Sequence, residues 1–347
     1  MNQLVVPVGY MGSGSSAITD IVGEFCGYDT SNGSFEFVFL HCPNGVFDLE
    51  DKLLVGNNAL RSDEALHSFY DTMKQLYDKK WWWVGGYRQH IGERFLQITQ
   101  QYLAQLVQFS PCYYWYMQEN TNTRMFWQLL WRKLLKICTF GKVILKKPLL
   151  YKPVWIAYPT PEEFYQATQQ YLSSIWKEMG IERNAIVLDQ LLLPHNLYRI
   201  ERYFHEELRA IVVSRDPRDV FIINKYIWPG QGQQVIYPVE VEQFCVFYQK
   251  LRQSEKRCES KRILRIQFED LVYQYEESIK RIRQFLGVTE ADHRYKGTRF
   301  QPERSIENTQ LFTHAMYRQE ADYIAEHLPQ YIYEFPYQRT PDIQMTF

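Results

Sequence analysis

An α/β fold built on a parallel sheet is predicted by three strand-to-helix junctions. A glycine-rich turn, Gly9-Tyr-Met-Gly12-Ser-Gly14-Ser15-Ser16, joins the apolar strand Leu4-Val5-Val6-Pro7-Val8 to a helix with Ala17, Ile18, Ile21 and Val22 at helical spacing. A second apolar strand, Leu208-Arg-Ala-Ile-Val-Val-Ser214, runs into Arg215-Asp216-Pro217 and a new helix start. A third, Lys261-Arg-Ile-Leu-Arg-Ile-Gln-Phe268, leads into Glu269-Asp270-Leu271 and a helix that closes at Gly287. Strands that alternate with helices in this way build parallel sheets with helices on their faces.

The first turn has the chemistry of an anion cradle. Glycines let the backbone approach an oxyanion, and the N–H groups of the helix start point at it. Gly12, Ser13, Gly14, Ser15 and Ser16 are therefore candidate phosphate-binding residues. Gly9 and Gly14 have the separation of a nucleoside-triphosphatase loop, yet Ser15 stands where that motif needs Lys. Arg215 follows its strand directly, and ligands of open α/β sheets sit at the carboxyl ends of strands, so it is expected to face the same crevice. Asp216 suits a helix cap and Pro217 the first helical position. Arg218 and Asp219 read as a solvated charge pair in the first turn.

Further boundaries follow from capping chemistry. Ser62 is expected to cap a helix running to about Tyr77, Thr160 with Pro161 to start one that stops before Gly180, and Pro238 to start one through about Arg257. The segment Ser34-Phe-Glu36-Phe-Val-Phe-Leu-His41 reads as a strand or its lead-in.

With 347 residues the chain is long for one domain, but its strands are spread from residue 4 to residue 266, so dividing it would split the sheet. The expectation is a single domain over 1–347 with a helical, aromatic and basic insertion at about 45–180. A net charge of −1 argues against general nucleic-acid binding, and 46% hydrophobic residues suffice for a core. The six cysteines lack C-x-x-C spacing and the histidines lie apart from them, so neither a zinc site nor a disulfide framework is indicated. The first strand begins at the amino terminus, and no apolar run reaches the length of about 18 residues that a membrane span needs, which predicts a cytoplasmic protein.

Residues 120–161 hold eight Lys or Arg and no Asp or Glu. Within them, 124–138 forms a basic amphipathic pattern, suited either to a membrane surface at its inner face or to a lid whose Lys side chains reach water. The clusters Trp81-Trp82-Trp83 and Tyr113-Tyr114-Trp115-Tyr116 read as core, with sugar-stacking platforms the alternative.

The loop at Gly9–Ser16, the strand ending at Arg215, the passage Lys261 to Val288 and the segment His293 to Asn308 together resemble sulfotransferases that use 3′-phosphoadenosine 5′-phosphosulfate, in particular bacterial enzymes acting on carbohydrates or glycans. The resemblance covers roughly residues 3–40 and 184–310. It implies a three-layer, P-loop-like fold in which Gly12 to Ser16 hold the 5′-phosphosulfate, Arg215 holds the 3′-phosphate, and Lys296 lies in the carboxy-terminal nucleotide loop. Where the family carries a Ser for the 3′-phosphate, this chain has Ile223, with Asn224 beside it as a substitute amide donor. Where the family places a loop cation, this chain has Gly12; Lys146 and Lys147, at the end of a strand expected at Lys142–Leu145, are candidates to replace it.

The resemblance further implies sulfuryl transfer from this nucleotide co-substrate, without a metal, to a hydroxyl of a carbohydrate or lipid-linked glycan. Glu36, which comes 22 residues after Gly14, is the expected catalytic base and His41 the alternative. Two other readings stay open: a P-loop phosphotransferase, disfavoured by Ser15, and a non-catalytic nucleotide-binding relic, suggested by Gly12 and Ile223.

Overall fold

Five strands pair in parallel: β1 (Gln3–Gly9), β2 (Tyr28–Asp29), β3 (Ala185–Val187), β4 (Glu207–Ser214) and β5 (Ile263–Gln267). Their order across the sheet is β2-β3-β1-β4-β5. The computed structural model describes residues 3–33, 35–80, 83–111, 123–143, 154–180, 185–205 and 207–342. β1 is buried along its whole length, which explains its unbroken apolar run. It pairs with β4 from Gln3 opposite Glu207 to Gly9 opposite Val213. That register brings the loop after β1 and Arg215 out side by side at the carboxyl end of the strands.

Alternation along β1 divides the core. Leu4, Val6 and Val8 face a cluster shared with Phe69, Tyr102, Phe164 and Leu172, whereas Val5 faces one shared with Ile18, Ile21, Ile279 and Ile282. The second face is covered by the helices Ser16–Gly23 and Tyr275–Leu286. The first is covered by helices that lie between β2 and β3 in sequence, among them Val46–Leu54, Ala59–Asp78, Phe95–Leu106 and Pro161–Glu178. The result is the predicted three-layer α/β architecture. Among the described residues, no helix is long and apolar enough to cross a membrane.

Several boundaries differ from the sequence expectation. The helix expected from Ser62 begins at Ala59, because Asn58 Oδ1 accepts the Arg61 N–H at 3.0 Å. Ser62 is instead buried, its hydroxyl accepting the Ala157 N–H at 2.7 Å and so tying the insertion together. The helix at Thr160 has its full capping box, and Gly287 ends Tyr275–Leu286 in the left-handed region at φ 72°. The helix expected from Pro238 spans Val241–Gln253. Residues 35–41 form no strand; Phe37 N–H nonetheless donates to Asp189 O at 3.0 Å, so the segment lies along the end of β3. β3 itself, three residues long, was too short to stand out by pattern. Ile144 and Leu145 of the expected strand, Lys146, Lys147, Trp81, Trp82 and Tyr113 to Tyr116 lie outside the described residues.

Candidate active site

The loop after β1 is shaped to take an anion. Gly12 and Gly14 have φ of 77° and 84°, the left-handed region that glycine occupies without strain. A Cβ on Gly14 would lie 2.7 Å from the Phe268 ring, and one on Gly12 would lie 3.0 Å from Trp228. Ser13 N–H closes a turn onto Tyr10 O at 2.8 Å. Among the described residues, the N–H groups of Gly12, Gly14, Ser15 and Ser16 donate to no other group of the chain, and the Ser13 hydroxyl is buried without a partner. Unspent donors at a helix start attract an oxyanion.

Arg215 closes this loop from the β4 side. It is buried; Nη1 donates to Gly12 O at 3.3 Å, Nη2 donates to Asn308 O, and Nε is left without a partner. Its guanidinium stacks over Phe268 at 4.6 Å. Burial works against its charge, and the nearby Asp219, Glu269 and Asp216 favour it. Glu269 Oε1 accepts the Asp216 N–H at 2.9 Å, and burial, with Asp216 close by, raises its pKa to about 8. The Glu-Asp-Leu passage thus fastens β5 to the helix start that presents Arg215.

Asp216 caps as expected, whereas Asp219 differs from expectation. Asp216 caps Pro217–Ile222 by accepting the Arg218 N–H, and it holds the Arg218 guanidinium in a fork at 2.9 and 2.7 Å. Asp219, expected in solvent, is fully buried and accepts the Gln310 and Leu311 N–H groups, both at 2.8 Å. Of the expected solvated pair, Arg218 is thus held by Asp216, and Asp219 is a buried clamp on the carboxy-terminal segment that brings Asn308 to Arg215.

On the other flank of β1, the chain beyond β3 continues alongside it: Leu188 N–H donates to Val5 O and Gln190 N–H to Pro7 O. Gln190 Nε2 then donates to Ser15 Oγ at 3.2 Å, and the His41 ring Nε2 donates to Gln190 O at 2.8 Å. His41 is held neutral by burial, and with Nε2 committed to a carbonyl it acts as a support for Gln190. Glu36 is half-buried, which raises its pKa. Asp189 is buried with Oδ1 unpartnered; burial first, and the Glu36 carboxylate second, raise its pKa to about 7. Sequence reading missed Asp189 and Gln190, since the only local signal was an acid following a very short apolar stretch.

A model of the sulfotransferase family matches residues 57–292, about two thirds of the chain. The protein belongs to the sulfotransferase family. Solved structures to which it is similar include the sulfotransferase domain of the Synechococcus PCC 7002 olefin synthase, at 12% identity over 96% of this chain and 95% of that one with a TM-score of 0.39. The sulfotransferase domain of the curacin biosynthetic pathway gives 14% identity over 96% and 98%, with a TM-score of 0.38. A Mycobacterium tuberculosis H37Rv sulfotransferase gives 11% over 94% and 76%, with a TM-score of 0.33. No curated protein matches the chain.

A sulfotransferase needs a sulfonate donor, and the unspent loop N–H groups, the Ser13 hydroxyl and Arg215 Nε suit an anionic one. Two residues expected at the nucleotide are spent elsewhere. The Asn224 amide donates to Tyr237 O at 3.1 Å and accepts the N–H groups of Ile236 and Tyr237 at 2.8 and 2.9 Å, because a π-helical turn over Ile223–Ile227 rotates it inward. It serves the sulfotransferase indirectly: the Tyr237 hydroxyl donates to Met11 O at 2.9 Å and steadies the loop. Lys296 is exposed and pairs with Glu276 at 2.6 Å. Its segment packs on Glu24, past the far end of the helix Ser16–Gly23, where Phe300 and Arg299 N–H groups and the His293 ring meet the Glu24 carboxylate. A cation does reach the loop, since Arg252 lies 4.0 Å from the centre of the Tyr10 ring.

Proposed function

We propose that this chain transfers a sulfuryl group from 3′-phosphoadenosine 5′-phosphosulfate to a hydroxyl of a carbohydrate or lipid-linked glycan. The observation that carries the reading is the meeting of Arg215 with the Gly12–Ser16 loop at the carboxyl ends of the neighbouring strands β4 and β1. An anion held by the loop N–H groups and a second phosphate near Arg215 span one nucleotide. The co-substrate supplies an electrophilic sulfur and a bisphosphate leaving group. The N–H groups of Gly14, Ser15 and Ser16 stabilise the negative charge that gathers on the leaving phosphate, and Ser15 Oγ is oriented by Gln190.

Glu36 takes the proton of the acceptor hydroxyl as its oxygen bonds to sulfur. Its raised pKa brings it nearer the operating pH that general-base catalysis favours. Asp189, whose pKa burial and the neighbouring Glu36 carboxylate raise to about 7, stands beside it. Ser15 in place of the Walker lysine disfavours phosphotransfer from a nucleoside triphosphate.

Release of 3′-phosphoadenosine 5′-phosphate, with mass spectrometry of glycan acceptors, tests the reading. Glu36→Gln should lower transfer by about 10²–10⁴-fold with nucleotide affinity unchanged. Nucleotide binding by wild type without transfer to any acceptor would favour the relic.

A further inference from the structure

The helix Thr123–Cys138 wears its apolar side outward. At 100° per residue, Phe126, Ile137, Leu130, Leu134, Trp127 and Trp131 form one continuous stripe of the helix surface. All six are exposed, and Phe126, Trp127, Trp131 and Ile137 each keep 62–64% of their surface in solvent. The half-buried positions Leu129, Arg132 and Leu135 lie on the opposite side. Phe140, just past the helix, is 95% exposed. A helix stabilised by packing on its own core has the reverse arrangement.

The charges decide what this stripe meets. Lys133 borders it, Lys136 lies farther round the helix, Lys142 follows, all three are exposed, and no Asp or Glu occurs between residues 120 and 161. A second copy packed through the same helix would set this positive segment against its own like, with no carboxylate to answer it. An anionic lipid surface answers both features, because tryptophan favours the headgroup boundary and lysine the negative surface potential. At 1.5 Å per residue, a helix of 16 residues is about 24 Å long and lies in the plane of the interface.

We infer that Thr123–Cys138 is a membrane-docking helix that seats the protein on anionic bilayers, independently of the reaction it catalyses. Co-sedimentation of the full chain with phosphatidylcholine vesicles, with and without about one third phosphatidylglycerol, tests this. The protein should partition onto the anionic vesicles at least about tenfold more strongly, and added salt should weaken the binding. Trp127→Ser with Trp131→Ser, and separately Lys133→Gln with Lys136→Gln, should each lower partitioning roughly tenfold or more without moving the melting temperature, since the side chains are exposed. Equal binding by wild type and the Trp variant, or no binding by wild type to anionic vesicles, overturns the inference. So does a wild-type dimer that the Trp variant dissolves while neither binds lipid.

Discussion

Arg215 donates to the carbonyl oxygen of Gly12 over 3.3 Å, joining the residue after β4 to the loop after β1. The same guanidinium reaches Asn308 O, so three stretches far apart in sequence close on one buried cation.

Gly14 is fixed by the Phe268 ring and by its positive φ. Gly14→Ala should cost roughly 1–3 kcal/mol, combining a disfavoured backbone region with a Cβ placed 2.7 Å from an aromatic carbon. Urea denaturation measures it; a change under about 0.5 kcal/mol would mean the loop relaxes at no cost.

Tyr237 lies between Asn224 and the loop. Removing its hydroxyl with Tyr237→Phe takes away the bond to Met11 O, and nucleotide affinity should fall several-fold, the equivalent of about 0.5–1.5 kcal/mol. Asn224→Ala breaks three hydrogen bonds, two of them buried, and should instead register mainly as lost stability, roughly 2–4 kcal/mol. Calorimetric titration and denaturation of both variants separate the two effects.

Asp189 predicts a pH dependence. Its folded pKa of about 7 lies above the ordinary value of 3.8, so between those values the folded state binds more protons than the unfolded one. Stability contributed by this group is present at low pH and declines as pH rises from about 4 to 7, at up to about 1.4 kcal/mol per pH unit. Glu269, raised to about 8, adds a decline in the same direction. Asp189→Asn should therefore flatten the stability profile between pH 4 and 7 in part; an unchanged slope would mean Asp189 is ionised in the fold.

Lys296 pairs with Glu276 on the surface, away from the loop. Lys296→Ala should leave nucleotide affinity within about twofold, because an exposed pair contributes little and no site charge is lost. A tenfold loss would return Lys296 to the nucleotide site.

Local chemistry explains which parts of this chain were legible. The loop at Gly12–Ser16, the strand before Arg215 and the caps at Asp216 and Thr160 each carry their signal in adjacent residues, and all are present in the fold. The inward orientation of Asn224 was not legible because it depends on a π-helical turn and on a strand-free loop at Ile236 and Tyr237, which no spacing reveals. The surface pairing of Lys296 was not legible because the position of its segment is set by Glu24, more than 250 residues earlier in the chain. Asp189 was missed because β3 is too short to show periodicity, while its chemistry comes from tertiary burial and, second, from Glu36.

Calorimetric titration of wild type and Arg215→Lys with 3′-phosphoadenosine 5′-phosphate at one fixed salt concentration tests the central claim most directly. A lysine keeps the charge but loses the fork, so the account predicts one nucleotide per chain for wild type and roughly ten- to hundredfold weaker binding for the variant, the equivalent of about 1.5–3 kcal/mol for a charge-assisted hydrogen bond. No binding by wild type, or equal affinity in a folded Arg215→Lys protein, would contradict it.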